Sequence, residues 1–468
     1  MHGLSSQLLL SQQVDIFPGS VPLLGHLPVF LWSLWRANGN LTNTFERLFQ
    51  RVNQKSFGFK LGRQWFILTL DPDMMHHVLV TAFSQYTKTQ RERDVLSSSL
   101  SGGLITSEGE AWKTHRRILR PFFGTDYLQS LTTLVQEAVA DRVSQWHDGI
   151  DVGYEMQMIT FDILARFFLG GKIGHYEKDK TLDVYTNHFI YMEKALEARA
   201  LSFPRVQDLI TNSLKFKTKL HQSFSVIKDL ISYRLEKSAN EEGSILQELL
   251  KAFKTEDIVV QEMLNIIAAS LGSAHVLSWI CALLAQDPYR QKKLKAEIEH
   301  FFSDRKGKTG ITLERLDQLP YLSAVVNEGL RLYPPAPYLI RTLESHPAAP
   351  HIVLSIWSMH RHPALWTQPE VFVPERWLVP EDATASSPHT TGPLRTFAAF
   401  LPFGAGPRTC IGRGFALVEI KLILINILQR FTLRLLDPVL PAAQATILTR
   451  PKRRIHLEVA PVADVQET

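Results

Sequence analysis

The sequence predicts a mainly α protein with a small β-sheet component, folded as one large domain. Three observations carry that expectation. Residues 263–286 hold no formally charged side chain, yet Asn265, Ser270, Ser273, His275 and Ser278 interrupt the run, and no basic cluster flanks it. Such a helix, apolar on nearly every face, belongs in the middle of a large protein rather than in a bilayer. Residues 413–431 show the same all-round apolarity. Finally, Gly 25 and Pro 25 are scattered over 468 residues without a repeat or a Gly/Ser linker, which leaves no internal boundary and excludes low-complexity and collagen-like classes.

In chain order, residues 1–15 carry no Lys or Arg and only a brief apolar run at Leu8, Leu9 and Leu10, which argues against a secretory signal. Residues 27–35 (LPVFLWSLW) are too short to span a bilayer and read as a docked core segment; no transmembrane anchor is expected. Residues 57–70 read as two strands around a turn at Gly62. Leu322, Val325, Val326, Leu330 and Tyr333 follow helical spacing until Pro334-Pro335 stops the helix. Residues 341–377, rich in Pro, His and Trp, lack a long period and read as a connector. Alternation at Ile455, Leu457 and Val459 suggests closing strands.

Charge and cysteine content narrow the function. Lys+Arg 51 against Asp+Glu 46 gives +5, dispersed along the chain, so no nucleic-acid partner is indicated. Two cysteines, Cys281 and Cys410, make neither a disulfide framework nor a tetrahedral zinc site. A reducing, cytoplasmic setting and a monomer are the expectation. Cys281 sits among Ile280, Ala282 and Leu283 and reads as an inert core residue. Cys410 differs. It closes the run Phe403-Gly404-Ala405-Gly406-Pro407-Arg408-Thr409-Cys410-Ile411-Gly412 just before an apolar helix, whose positive end would lower a thiol's pKa. The glycines let backbone approach a flat ligand closely.

This run resembles the heme-binding signature of the cytochrome P450 superfamily, Phe-x-x-Gly-x-Arg-x-Cys-x-Gly, at every fixed position. The resemblance implies heme b (iron protoporphyrin IX) as cofactor, with Cys410 as its axial thiolate and metal ligand and Arg408 as a propionate partner; Phe403, Gly406 and Gly412 complete the motif. Glu328 and Arg331 match the family's Glu-x-x-Arg helix, and Arg376 in Pro374-Glu375-Arg376-Trp377 matches the arginine that joins them, which implies a structural role for all three. Trp112 and Arg116 match a Trp-x-x-x-Arg motif, and Arg341 a further position, that bind heme propionates. Pro22-Leu23-Leu24-Gly25 looks like the family's opening segment. The likeness implies a heme-thiolate domain over residues 18–460, between an extension at 1–17 and a tail at 461–468.

The sequence also departs from the family. Counted back from Ala285-Gln286-Asp287-Pro288, Leu271 stands where the oxygen-activating helix usually has an acid, and Gly272 where it has a threonine. Neither side chain can relay a proton. Ser273, His275, water or a substrate hydroxyl are the alternatives for that task. Between Arg341 and His360 the family's usual hairpin has no glycine here, which puts that sheet edge in doubt. Ile267, Ala268, Leu271, Gly272, Leu339 and Ile340 are candidate walls of an apolar pocket, and loops at 89–103 and 201–215 are expected to set specificity.

The expected activity is a mono-oxygenase acting on an apolar small molecule. No flavin or dinucleotide fingerprint is present, so a separate ferredoxin or flavoprotein reductase would supply electrons, docking on Arg117, Arg120, Arg413 and Lys421. A heme-thiolate isomerase, dehydratase or peroxide-using enzyme, and a non-catalytic heme sensor, are the rival readings.

Overall fold

The computed structural model describes residues 14–100, 102–172, 182–201, 214–238, 244–303, 311–344, 349–378 and 399–462. The chain divides into two compact units, one built on Met1–Asp94, Glu328–Cys410 and Ala443–Arg450, the other on Val95–Asn327, Ile411–Ala442 and Pro451–Thr468.

The first unit is organised by a six-stranded sheet whose strands run, edge to edge, Asp15–Ile16, Ser56–Leu61, Gln64–Thr69, His351–Leu354, Leu339–Leu343 and Tyr86–Thr87. The two strands expected around Gly62 pair antiparallel, with Phe59 opposite Phe66 and their rings stacked 5.3 Å apart. Gly62 has φ +59°, a left-handed turn geometry that glycine adopts without a Cβ penalty. Phe57, Phe59, Leu68 and Leu354 enter a core with Phe45, Leu48 and Phe49; each large apolar side chain buried there contributes about 1.5–3 kcal/mol.

Two expectations change. A hairpin does form after Arg341 without a glycine: Leu339 pairs with Leu354, Ile340 with Val353 and Arg341 with Ile352. Ile352, Val353 and Leu354 are all buried on the inner strand, and the pairing forms without a turn glycine. The 27–35 segment is helical, Leu27–Arg36, but only Ser33 is buried. Trp32 and Trp35 are 50% and 75% exposed, so this helix is a surface element and not a docked core segment.

The second unit is helical. Its axis is Glu256–Gln286, 31 residues, which packs most extensively against Val152–Ala165. It is the one helix among the described residues long and apolar enough to cross a membrane, and it is buried inside the protein. Glu256 and Asp257 lie in its first turn, where the helix dipole favours negative charge. Ser270 and Ser278 return their hydroxyls to the carbonyls of Ile267 and Ala274, so they cost little in an apolar setting. Arg413–Arg430 packs along Thr125–Val143, and Leu182–Leu201 along Leu214–Ser238. Strands Gly149–Asp151, His456–Pro461 and Phe431–Leu435 close the unit. Of the two expected specificity loops, 89–103 is mostly a helix, Gln90–Leu100, and 202–213 lies outside the described residues.

Candidate active site

In the first unit the Cys410 run is a closed turn. The Cys410 amide donates to the Phe403 carbonyl at 2.9 Å, and the Thr409 amide to the Gly406 carbonyl at 3.0 Å. Gly404 and Gly406 both have φ +68°. A Cβ built on Gly406 would lie 1.9 Å from the Leu79 carbonyl oxygen, so the position excludes every other residue type on both conformational and steric grounds. The turn leaves Cys410 exposed and free of any disulfide. Cys281 is the opposite case, buried, with burial pushing its thiol up to about 12. Burial therefore keeps Cys281 a neutral, inert thiol, whereas Cys410 is open to a ligand.

Glu328 and Arg331 are fully buried and doubly hydrogen-bonded, Nε to Oε2 at 2.9 Å and Nη2 to Oε1 at 2.8 Å. Arg376 Nε adds 3.1 Å to Oε1, and the Trp377 indole and the Val373 amide donate to the same carboxylate at 2.9 and 2.8 Å. Arg331 Nη1 also donates to the His360 and Pro369 carbonyls. Full satisfaction of both ions is the condition under which a buried pair is stable.

His360 extends this network to the Cys410 turn. Its Nδ1 faces the Arg331 carbonyl at 3.2 Å and its Nε2 accepts from the Leu401 amide at 2.9 Å. A carbonyl only accepts and an amide only donates, so the ring is neutral with its proton on Nδ1. Burial first, then the Arg331 and Arg361 charges, push its pKa down to about 3. Leu401 in turn accepts from the Gly404 amide. The expected trio thus reaches the cysteine turn through a histidine.

Arg341 is buried at 8% exposure on its strand, and its Nη1 donates to the Ile340 carbonyl at 2.8 Å. Among the described residues no carboxylate pairs with it. Leu339 and Ile340 on the same strand are half-buried.

In the second unit Trp112 is buried on helix Gly109–Leu119, and the Arg116 guanidinium lies 5.8 Å from its ring centroid. On the central helix Ile267 and Leu271 are buried, whereas Ala268 and Gly272, one turn apart, are half-buried and Ala269 is exposed. Small residues therefore leave an accessible apolar strip in the middle of the helix, whose other positions from Glu262 to Ala285 are buried. Gly412 caps the helix Arg413–Arg430, its carbonyl accepting from the Ala416 amide at 2.8 Å.

Ser273 and His275 are both buried and engage different partners. His275 Nε2 lies 2.6 Å from Glu193 Oε1 on helix Leu182–Leu201, a contact that holds two helices together. The Ser273 hydroxyl lies close enough to the Glu419 carboxyl on helix Arg413–Arg430 to favour its charged form, against the larger effect of burial. Burial raises Glu419 to about 8, and its Oε1 has no hydrogen-bond partner among the described residues. Burial thus favours the protonated form of Glu419. The sequence reading missed it, along with His360 and Glu193. Glu419 was findable as the lone acid inside the apolar 413–431 helix, whereas the partners of His275 and His360 carry no local signal.

Arg117, Arg120 and Arg413 are exposed. Lys421 is not a docking charge of that kind: burial lowers its pKa, and it faces Asp317 at 3.8 Å.

The residues present fit a heme: an exposed thiol on a turn whose glycines admit no side chain, and a buried guanidinium without an acid partner, suited to an incoming carboxylate. The sequence model of the family described as Cytochrome P450 matches residues 21–459. Among curated proteins, the chain is 26% identical over 427 residues to Cytochrome P450 4Z1 of Homo sapiens, covering 84% of this chain and 81% of that protein. It is 27% identical over 499 residues to Cytochrome P450 4X1 of Rattus norvegicus, covering 97% and 94%. It is 29% identical over 423 residues to the protein LUTEIN DEFICIENT 5, chloroplastic, of Arabidopsis thaliana, covering 83% and 69%.

Proposed function

The chain belongs to the cytochrome P450 family of heme-b-binding mono-oxygenases, and from that membership we propose that it oxidises an apolar small molecule with electrons from a separate ferredoxin or flavoprotein reductase. A bound heme with a thiolate ligand would supply electron-rich iron for oxygen chemistry. In the first unit Cys410 would ligate the iron, and Arg341 and Arg408 would pair with propionate; in the second, Trp112 and Arg116 match the family's propionate-binding pair.

The observation that carries the catalytic reading is the Glu419–Ser273 contact. With Leu271 and Gly272 in place of an acid and an alcohol, this chain needs another proton source. Burial favours the protonated form of Glu419, and in this reading the Ser273 hydroxyl, next in sequence to half-buried Gly272, would pass that proton on. His275, committed to Glu193, holds the helix and does not take part. The apolar strip at Ala268, Ala269 and Gly272 supports an apolar substrate. Two cysteines that form no disulfide support a reducing, cytoplasmic setting.

The test is product formed per electron consumed, in wild type and in Glu419→Gln and Ser273→Ala. A positioned general acid contributes about 10²–10⁴-fold to its step, so both substitutions are expected to lower oxygen-dependent product yield by at least about tenfold while peroxide-supported turnover falls less. Unchanged coupling in both variants contradicts the proton role. Wild-type turnover with peroxide alone, and none with oxygen and reductant, favours the peroxide-using reading instead.

A further inference from the structure

The Trp112–Arg116 motif contains a residue that the family likeness leaves without a task, His115. On the helix Gly109–Leu119 its Nδ1 contacts Glu262 Oε1 on the central helix, across 147 positions of sequence. Glu262 is fully buried, and its other oxygen accepts from the Leu104 amide at 3.1 Å. One turn on, Asn265 Oδ1 accepts from the Ile105 amide at 3.1 Å, while its Nδ2 donates to the Gln261 carbonyl at 2.7 Å. The loop is shaped to receive these side chains. A Cβ on Gly103 would lie 2.0 Å from Asn265 Nδ2, and one on Gly102 would lie 1.8 Å from Gln261 Oε1. Ser107 Oγ and Thr106 Oγ1 close the loop by donating to the Gly103 carbonyl at 2.6 and 3.2 Å. The His115 ring packs edge-on against Phe253 at 5.2 Å.

A buried carboxyl is costly unless its oxygens are occupied. Both Glu262 oxygens are occupied, one by the loop that leads into helix Gly109–Leu119 and the other by that helix itself. The same central helix, within about three turns further on, presents the accessible strip Ala268, Ala269 and Gly272. We propose that Glu262 is a positioning residue that fixes the Trp112–Arg116 pair relative to the pocket-bearing helix, so that cofactor retention and pocket geometry depend on one carboxyl. This inference rests on the proposed heme role of Trp112 and Arg116. Linkage then requires that an apolar ligand which stiffens the central helix also slows cofactor loss.

The experiment measures two quantities on the heme-loaded protein: hydrogen exchange at the Leu104 and Ile105 amides, and the rate of heme transfer to an excess of an apo-globin acceptor. In Glu262→Ala both are expected to rise at least tenfold. Glu262→Gln, whose amide can accept from Leu104 and donate to the other His115 tautomer, is expected to restore both to within about threefold of wild type. His115→Phe keeps the packing on Phe253 and removes the nitrogen. It is expected to speed heme loss while leaving Leu104 protected, and it decides the matter if Glu262→Ala does not fold. Heme loss within twofold of wild type in His115→Phe overturns the proposal, as does a Gln variant no better than the Ala variant. Failure of the heme reading is distinguishable: the wild type itself would then lack a thiolate-ligated spectrum, whereas the exchange measurement would still report on the loop.

Discussion

Glu419 and His360 are buried, titratable and shifted in opposite directions, and that opposition sets how the protein responds to pH. Glu419 is held protonated up to about 8, against an ordinary carboxyl value of 4.5. The folded state therefore binds more protons than the unfolded chain between those values, and this contribution to stability falls as pH rises from 4.5 through 8. His360 is held neutral down to about 3, against 6.5. Its contribution is complete above 6.5 and is lost as pH falls from there toward 3. Glu419→Gln is accordingly expected to flatten the loss of stability between pH 6.5 and 8, measured as urea unfolding free energy at each pH. His360→Asn is expected to weaken the loss of stability as pH falls from 6.5 toward 3, with an overall cost of about 1–3 kcal/mol for the Leu401 amide or Arg331 carbonyl left unpaired. Parallel pH curves for mutant and wild type contradict either assignment.

Among elements, the Cys410 turn and the Glu328 network are the most constrained. Gly406→Ala forces a Cβ against the Leu79 carbonyl at a positive φ, and the turn must shift to relieve it. The expected result is protein that folds with native far-ultraviolet circular dichroism but retains less than about half of its heme; full heme content contradicts the reading of the turn. Arg331→Met leaves Glu328 charged in a fully buried site and is expected to cost about 3–5 kcal/mol, read as loss of soluble folded protein. These elements were legible in the sequence because their chemistry is local: the turn is one run of ten residues, and Glu328 and Arg331 share a helical face. The hairpin at Leu339–Leu343 and His351–Leu354 was obscured because neither strand alternates and no glycine between them signals a turn. The helix Leu27–Arg36 was misjudged because apolar composition does not say which neighbour, if any, covers a face; Trp32 and Trp35 remain exposed.

Across the whole molecule, the buried polar contacts that matter most join segments distant in sequence. His275 meets Glu193 across 82 positions, and His115 meets Glu262 across 147. Neither spacing leaves a periodic trace, so the residues were visible in the sequence while their pairing was not. Their common feature is the central helix Glu256–Gln286, which carries Glu262, Asn265, Ser273 and His275 within an apolar run. The proposed proton relay and the proposed positioning contact therefore both lie on this one helix. All of this presumes that Cys410 ligates the heme iron, and the absorbance of the reduced protein under carbon monoxide, in wild type and in Cys410→Ser, tests that most directly. The wild type is expected to show the strongly red-shifted Soret band of a thiolate-ligated heme, and the serine variant to lose it. A wild type without that band, or a serine variant with an unaltered one, contradicts the assignment.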